Sequence, residues 1–407
     1  MRGGNAMKWF LLGGAAICAA GPAYAQDVTF RPILEARTRL EIVDQAGLAD
    51  GATAVTLRVR AGGTITRKRV SALFEGQANV ALADDFYDGL HGAATRPLVA
   101  DPQNIGVSRA QIQYRDKAVA VTVGRQRIAL DDERFIGASA FRNNSQSFDA
   151  VRVEWTAVPK LKVDISYAWS VRTIWGVDGT GARQPAVSGD NVFANVSYVT
   201  PAGTLTGFAY LVDQDEAAVQ GLRLSNQSYG ARLAGGRKIG PSAKLNYALS
   251  YARQSDYHRN PNTYDASYYL IDGSVELGGF KLGGTYEVLG ASSGAALTSF
   301  QFPVGTGFRY QGWAGKFGPT PPDGVRDLFA TATYTLPAAG RFKAVTFQAS
   351  YHRFTSDRLY RPYGSEIDLL GSAKLGRYTF SARYAGYKAD GFATDTDKFW
   401  LQVDWAF

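Results

Sequence analysis

The residues that end the chain constrain its fold more than any other stretch. In Phe399-Trp400-Leu401-Gln402-Val403-Asp404-Trp405-Ala406-Phe407 the odd positions are Phe, Leu, Val, Trp and Phe. The even positions from 402 are Gln, Asp and Ala. Successive side chains of a strand point to opposite faces, so this is a strand with one apolar and one polar face. A helix would repeat every 3.6 residues and could not sort these side chains.

The same period returns along the chain. Leu161, Val163, Ile165, Tyr167 and Trp169 alternate with Lys162, Asp164, Ser166, Ala168 and Ser170. Leu245, Tyr247, Leu249 and Tyr251 alternate with Lys244, Asn246, Ala248 and Ser250, and Tyr378, Phe380, Ala382 and Tyr384 with Thr379, Ser381 and Arg383. The pattern predicts strands near 28–43, 53–61, 65–82, 107–115, 118–128, 148–157, 161–171, 191–199, 204–211, 225–236, 243–253, 265–277, 280–289, 326–336, 342–353, 365–375, 378–387 and 396–407. Short turns, at Gly62-Gly63, Asp116-Lys117, Pro159-Lys160, Gly240-Pro241, Gly278-Gly279 and Gly376 among others, alternate with long connections. The longest connection is 290–325. An even number of tilted strands with alternating short and long connections is the plan of a transmembrane β-barrel, here of about 18 strands. An aromatic C-terminal strand is also how outer-membrane barrels end, and Phe407 is the expected signal to the barrel-assembly machinery. A soluble sandwich or propeller fits less well, because no blade-length repeat is visible.

The N-terminus reads as a secretory signal. Arg2 and Lys8 supply positive charge, Trp9 to Ala20 a short apolar core, and Ala23-Tyr24-Ala25 a small-x-small cleavage site. Two segments follow, a signal peptide over 1–25 and a single barrel over 26–407, with cleavage after Ala25 and residence in a Gram-negative outer membrane. The one cysteine, Cys18, lies in the signal, which excludes a disulfide framework and a cysteine-based metal site. No cofactor is called for. The net charge of +8 is small for 407 residues and gives no patch for nucleic acid.

The polar face carries the chemistry. Arginines fall on it repeatedly: Arg37, Arg39, Arg58, Arg60, Arg109, Arg115, Arg152, Arg232 and Arg383. One arginine facing lipid at mid-bilayer costs about 2–4 kcal/mol, so nine would exceed a typical folding stability. They must face the lumen, joined by Glu35, Glu41, Glu75, Glu154, Asp164 and Asp404. A barrel of this size is too wide for side chains to fill, so its lumen is wet. Guanidiniums bind carboxylates bidentately and keep their charge when partly desolvated, which suits weak, multi-site passage of anions. Pairing with Glu and Asp to stiffen the wall is the competing role. One segment breaks the period: Val119, Val121 and Val123 share parity with Arg125 and Arg127. A bulge at Gly124 would shift the register; alternatively Arg127 lies above the bilayer.

Residues 124–154 include Gly124-Arg125-Gln126, the Asp132-Glu133-Arg134-Phe135 loop, Arg142-Asn143-Asn144 and Phe148-Asp149-Ala150-Val151-Arg152. These motifs, with Arg37-Thr38-Arg39-Leu40-Glu41, resemble the alginate export porin family. The resemblance implies a monomeric barrel, an Arg-rich pore for an anionic polysaccharide, and inward-folded loops. Carried over residue by residue, it places Arg58, Arg60, Arg125 and Arg152 in the wall, and Arg134 and Arg142 in the loop. The chain is shorter than an alginate exporter, with more modest loops, so cargo within the family is left open.

Asp131, Asp132 and Glu133 read as a calcium site, a catalytic pair, or an Arg-paired loop cluster. The aromatic-rich 290–325 reads equally as a constriction plug or a compact cap. An enzyme barrel would need a nucleophile or carboxylate pair beside histidine, and His91, His258 and His352 show no such spacing. A plugged receptor would need a large N-terminal domain before the first strand. The expectation is a non-enzymatic channel in contact with outer-membrane lipid and lipopolysaccharide. It passes anionic solutes along Arg37, Arg39, Arg58, Arg60, Arg109, Arg125, Arg134, Arg142, Arg152 and Arg383. Acidic oligo- or polysaccharides such as alginate are one cargo class, and a general small-solute porin is the alternative.

Overall fold

A computed structural model describes residues 27–216, 221–308 and 310–407; the expected signal segment lies outside them. Eighteen strands follow one another in a closed antiparallel barrel. They are β1 Val28–Gln45, β2 Ala52–Arg67, β3 Val70–Asp85, β4 Asn104–Arg115, β5 Val119–Gln126 and β6 Ser147–Trp155. Next come β7 Leu161–Arg172, β8 Ala186–Thr200, β9 Gly203–Val212, β10 Asn226–Ile239, β11 Ala243–Asp256 and β12 Asp265–Leu277. The last are β13 Phe280–Leu289, β14 Val325–Ala339, β15 Phe342–Thr355, β16 Pro362–Leu375, β17 Tyr378–Ala389 and β18 Thr396–Ala406. Each strand pairs with its sequence neighbours, and β1 closes on β18 from Glu35↔Ala406 to Gln45↔Thr396. Closure leaves no sheet edge unpaired, the only way strands can span hydrocarbon.

The alternation sorts the faces as expected. Ile105, Leu82, Ile112, Leu282, Leu328, Ile271 and Phe347 are exposed on the outside. An apolar surface of this extent belongs against lipid, since soluble monomers rarely expose more than a few hundred Å² in one patch.

Two expectations about glycine are corrected. Gly62-Gly63 is not a turn. Both sit inside β2, opposite Ile33 and Pro32 of β1, and the chain reverses at Lys68-Arg69, where Lys68 takes φ 55°. The glycines answer close approach instead: a Cβ on Gly62 would lie 2.0 Å from the Phe74 carbonyl oxygen, and one on Gly63 would meet the Phe30 ring at 2.3 Å. Gly124 is likewise no bulge. β5 stays in register through it on both sides, with φ 112° and the Ala110 carbonyl oxygen 2.4 Å from where a Cβ would stand. The shift falls two strands away, where Trp169 of β7 is skipped between the Asp149↔Ser170 and Ala150↔Ala168 pairs.

The long connections do not all remain outside. Residues 127–146 and 290–324 turn into the barrel and supply its apolar core. Phe135 packs on Phe208, Tyr210, Tyr268 and Phe300. Phe141 stacks on Phe308, and both meet Trp400 edge-on. Phe317 fits among Phe354, Tyr363, Tyr387 and Phe392. Of the two readings of the longest connection, the inserted plug is the one observed.

Candidate lumen site

The inward faces of β17, β18, β1, β2, β3 and β4 carry a basic network. Arg37 and Arg58 are direct cross-strand partners. Two like charges opposite each other repel, and carboxylates separate them. Arg37 Nε donates to Asp404 at 2.7 Å, and Glu35 lies 3.7 Å from both Arg58 and Arg60. Glu75, fully buried, is shared by Arg109 and Arg127, with Arg60 at 4.0 Å. Arg142 reaches Glu41 and Asp101, each at 3.9 Å. Arg383 makes no ion pair among the described residues; it donates to Ser381 at 3.2 Å and lies over the Phe141 ring, 5.6 Å from its centroid. In this network eight guanidiniums (Arg37, Arg39, Arg58, Arg60, Arg109, Arg127, Arg142, Arg383) meet five carboxylates (Glu35, Glu41, Glu75, Asp101, Asp404), an excess of 8 − 5 = 3 positive charges. Arg58 Nε, Arg109 Nε, Arg127 Nε and Arg142 Nη1 have no hydrogen-bond partner among the described residues.

Not every predicted arginine lines this path. Arg125 is corrected. By ladder register it stands with Asp149 on the side of Val123 and Val151, and it borders a small cavity shared with Gln77 and Asn144. There it holds Asp149 bidentately, and Arg172 holds the same carboxylate. Arg127, beyond the strand end, turns inward to Glu75 at 2.7 Å. Arg39 and Arg134 are corrected from lining residues to anchors, since both are 1% exposed. Arg39 bonds Gln402, Asp101 and the Phe141 carbonyl oxygen, tying the 127–146 loop to β1. Arg134 donates to Glu287 of β13 at 2.6 and 3.2 Å, sandwiched between the Phe302 and Tyr310 rings at 4.2 and 4.8 Å. Arg152 is part of a separate wall cluster, bidentate to Asp164 with Lys162 and Glu154 alongside.

The Arg134 sandwich divides the interior. On the long-loop side, a vestibule of about 650 Å³ is lined by Trp175, Leu224, Gln301 and Phe302. On the short-turn side, a chamber of about 400 Å³ is lined by Asp132, Arg232, Asp272, Lys281, Tyr310 and Trp313. Phe302 faces the first space and Tyr310 the second.

Sequence reading missed the opposite wall. His352 lies on strand β15. It is buried between Asp327 of β14, 2.9 Å from Nδ1, and Asp368 of β16, 3.6 Å from Nε2. Beside it Glu366 accepts the Ala314 N–H at 2.7 Å and so seats the 290–324 plug. The parity of Ser350, His352 and Phe354 was the available signal. Of the loop acids, Asp132 pairs with Arg232 at 2.7 Å, Glu133 caps Ala138 N–H, and Asp131 accepts from Asn195. Burial, with Asp132 adding its charge, pushes the Asp131 carboxyl up.

Comparisons with known proteins agree with this architecture. The alginate export family model matches residues 34–178, which contain both the N-terminal arginine motif and the 124–154 segment. No curated protein matches the chain in sequence. The fold is that of several solved outer-membrane barrels. The outer membrane protein opdK of Pseudomonas aeruginosa is 13% identical, with TM-score 0.69 over 93% of this chain and 98% of its own. OpdG of the same organism is 14% identical, TM-score 0.70, over 93% and 98%. OccAB4 of Acinetobacter baumannii is 13% identical, TM-score 0.69, over 94% and 99%. OpdK has also been solved with vanillate.

Proposed function

We propose that this chain is an outer-membrane channel that passes small anionic solutes along the arginine wall of β17, β1, β2 and β4. The observation that carries the reading is the surplus of that wall. Three uncompensated positive charges stand on that wall, and the Arg109, Arg127 and Arg142 side chains each keep about a fifth to a quarter of their surface accessible. A wall built only for rigidity would pair its charges one to one. Unequal sharing leaves net positive charge for a passing carboxylate, and binding stays weak because every guanidinium but Arg383 already has a protein carboxylate. Vanillate, the molecule solved with OpdK, is itself a carboxylate. Sugar acids and oligouronides fit the same wall, with Trp175 and Phe302 of the vestibule offering apolar faces to a sugar ring.

The test is the reversal potential of the protein in a planar bilayer under a KCl gradient. Chloride should be preferred over potassium. Arg383→Gln should weaken that preference most among single variants, because Arg383 alone of the eight makes no ion pair among the described residues. Preference for potassium would overturn the reading.

A further inference from the structure

The ladder register places one charged row on the lipid side of the barrel. Across β15, β16 and β17, Arg353 pairs with Ser365, and Ser365 pairs with Lys388. All three point outward, because their chain neighbours His352, Phe354, Glu366 and Tyr387 are buried inside. Arg353 is exposed and has no hydrogen-bond or ion-pair partner among the described residues. Lys388 reaches only Asp395, and both are largely exposed. One step toward the short turns, the same face presents Tyr351 and Ile367, which belong to the apolar band. The row therefore stands where hydrocarbon gives way to headgroups, on the side of the long loops, which in such barrels is extracellular. The rim is not cationic all round: Asp44 and Asp397 are neighbours across β1 and β18, and Arg253 is held by Asp265.

We propose that Arg353, Ser365 and Lys388 bind the phosphate groups of a phosphorylated glycolipid in the outer leaflet, whose acyl chains lie over Tyr351 and Ile367. The inference rests on the outer-membrane reading. An unpaired guanidinium at the edge of hydrocarbon is costly, and a headgroup phosphate is the anion available there. Arginine takes phosphate bidentately, lysine holds it as a point charge, and the Ser365 hydroxyl can donate between them. Strands lie about 4.8 Å apart, so Arg353 and Lys388 are set about 10 Å apart, a span for one sugar-phosphate headgroup.

The test is lipid A binding to the full barrel in detergent micelles with EDTA, measured by native mass spectrometry. Wild type should bind lipid A. Arg353→Gln with Lys388→Gln should weaken binding about thirtyfold, which is about 2 kcal/mol at 1.4 kcal/mol per tenfold and about 1 kcal/mol per charge near the surface. Lipid A stripped of its phosphates should bind wild type no better than intact lipid A binds the double variant. Equal binding by the double variant, or by dephosphorylated lipid A, overturns the proposal. Conductance of the double variant should match wild type, which establishes that it folds, since both residues lie outside the lumen. A wild-type barrel that conducts but binds no lipid A refutes the lipid site alone. One that never inserts into a bilayer refutes the channel reading beneath it.

Discussion

Glu287→Ala is the substitution whose outcome the geometry specifies most closely. Glu287 is 1% exposed on β13 and accepts three hydrogen bonds, two from Arg134 at 2.6 and 3.2 Å and one from Tyr268 at 2.9 Å. Its removal leaves Arg134 charged, buried and flanked by two aromatic rings that accept no second cation partner. Removing one member of a buried pair costs about 3–5 kcal/mol, chiefly the desolvation of the charge left behind. The barrel wall is not where that energy is released. β13 keeps its ladders to β12 and β14, whereas the 127–146 loop can move. The guanidinium then regains water by leaving its slot, taking Phe135 with it. A cost of about 3–5 kcal/mol shifts the displaced state by roughly 150- to 4,000-fold, at 1.4 kcal/mol per tenfold. Single-channel recording in a planar bilayer reads this as a higher mean conductance with new open-state fluctuations. Arg134→Met should fluctuate less, because methionine fills the slot and Tyr268 still donates to Glu287. A Glu287→Ala channel with wild-type conductance and quiet current would refute the idea that the Arg134 sandwich separates the two chambers.

Other residues make sharper or simpler demands. Arg125→Ala should leave the reversal potential unchanged, since Asp149 holds and neutralises Arg125 bidentately; a loss of anion preference would return it to the lumen path. Gly62→Ala should lower the temperature at which the barrel loses its folded mobility on gels, because its Cβ would stand 2.0 Å from the Phe74 carbonyl oxygen. Wild-type heat stability there would show that the strands can part at no cost. Burial, then the charge of Lys398, brings Lys316 of the plug down to about 8. An unfolded lysine titrates near about 10.4, so between these values the unfolded chain holds the extra proton and stability rises with pH. Lys316→Met should flatten that rise between about pH 8 and 10.4, and an unchanged slope in the same heating assay would count against the buried ammonium.

Periodicity alone determined the architecture. Alternation from Leu161 to Trp169 and from Phe399 to Phe407 needs a two-faced strand, and the forbidding cost of arginine in hydrocarbon says which face is which. That reasoning is local and energetic, so it survives without knowledge of the neighbours. It located most strands to within three residues, with the end of β2 and the starts of β3 and β8 five or six away, and it set Arg37, Arg58, Arg60, Arg109 and Arg383 on the inner side. It faltered where one residue type serves two purposes. Glycine permits a turn and equally permits close approach, and only the partner strand distinguishes Gly62 from Gly278 or Gly124 from a bulge. Nor does alternation show that the inward face carries aromatics, yet Phe148, Phe193, Tyr268, Phe354 and Trp400 lie on it. Tyr268, Phe354 and Trp400 meet Phe135, Phe300, Phe317, Phe141 and Phe308, aromatics brought in by two loops remote in sequence. Whether a loop enters a barrel depends on contacts across the lumen that no local pattern records. For the same reason the sequence could name the arginines but not divide them. Arg39 and Arg134 became anchors and Arg383 a free cation only when the fold placed Asp101, Glu287 and Phe141 beside them.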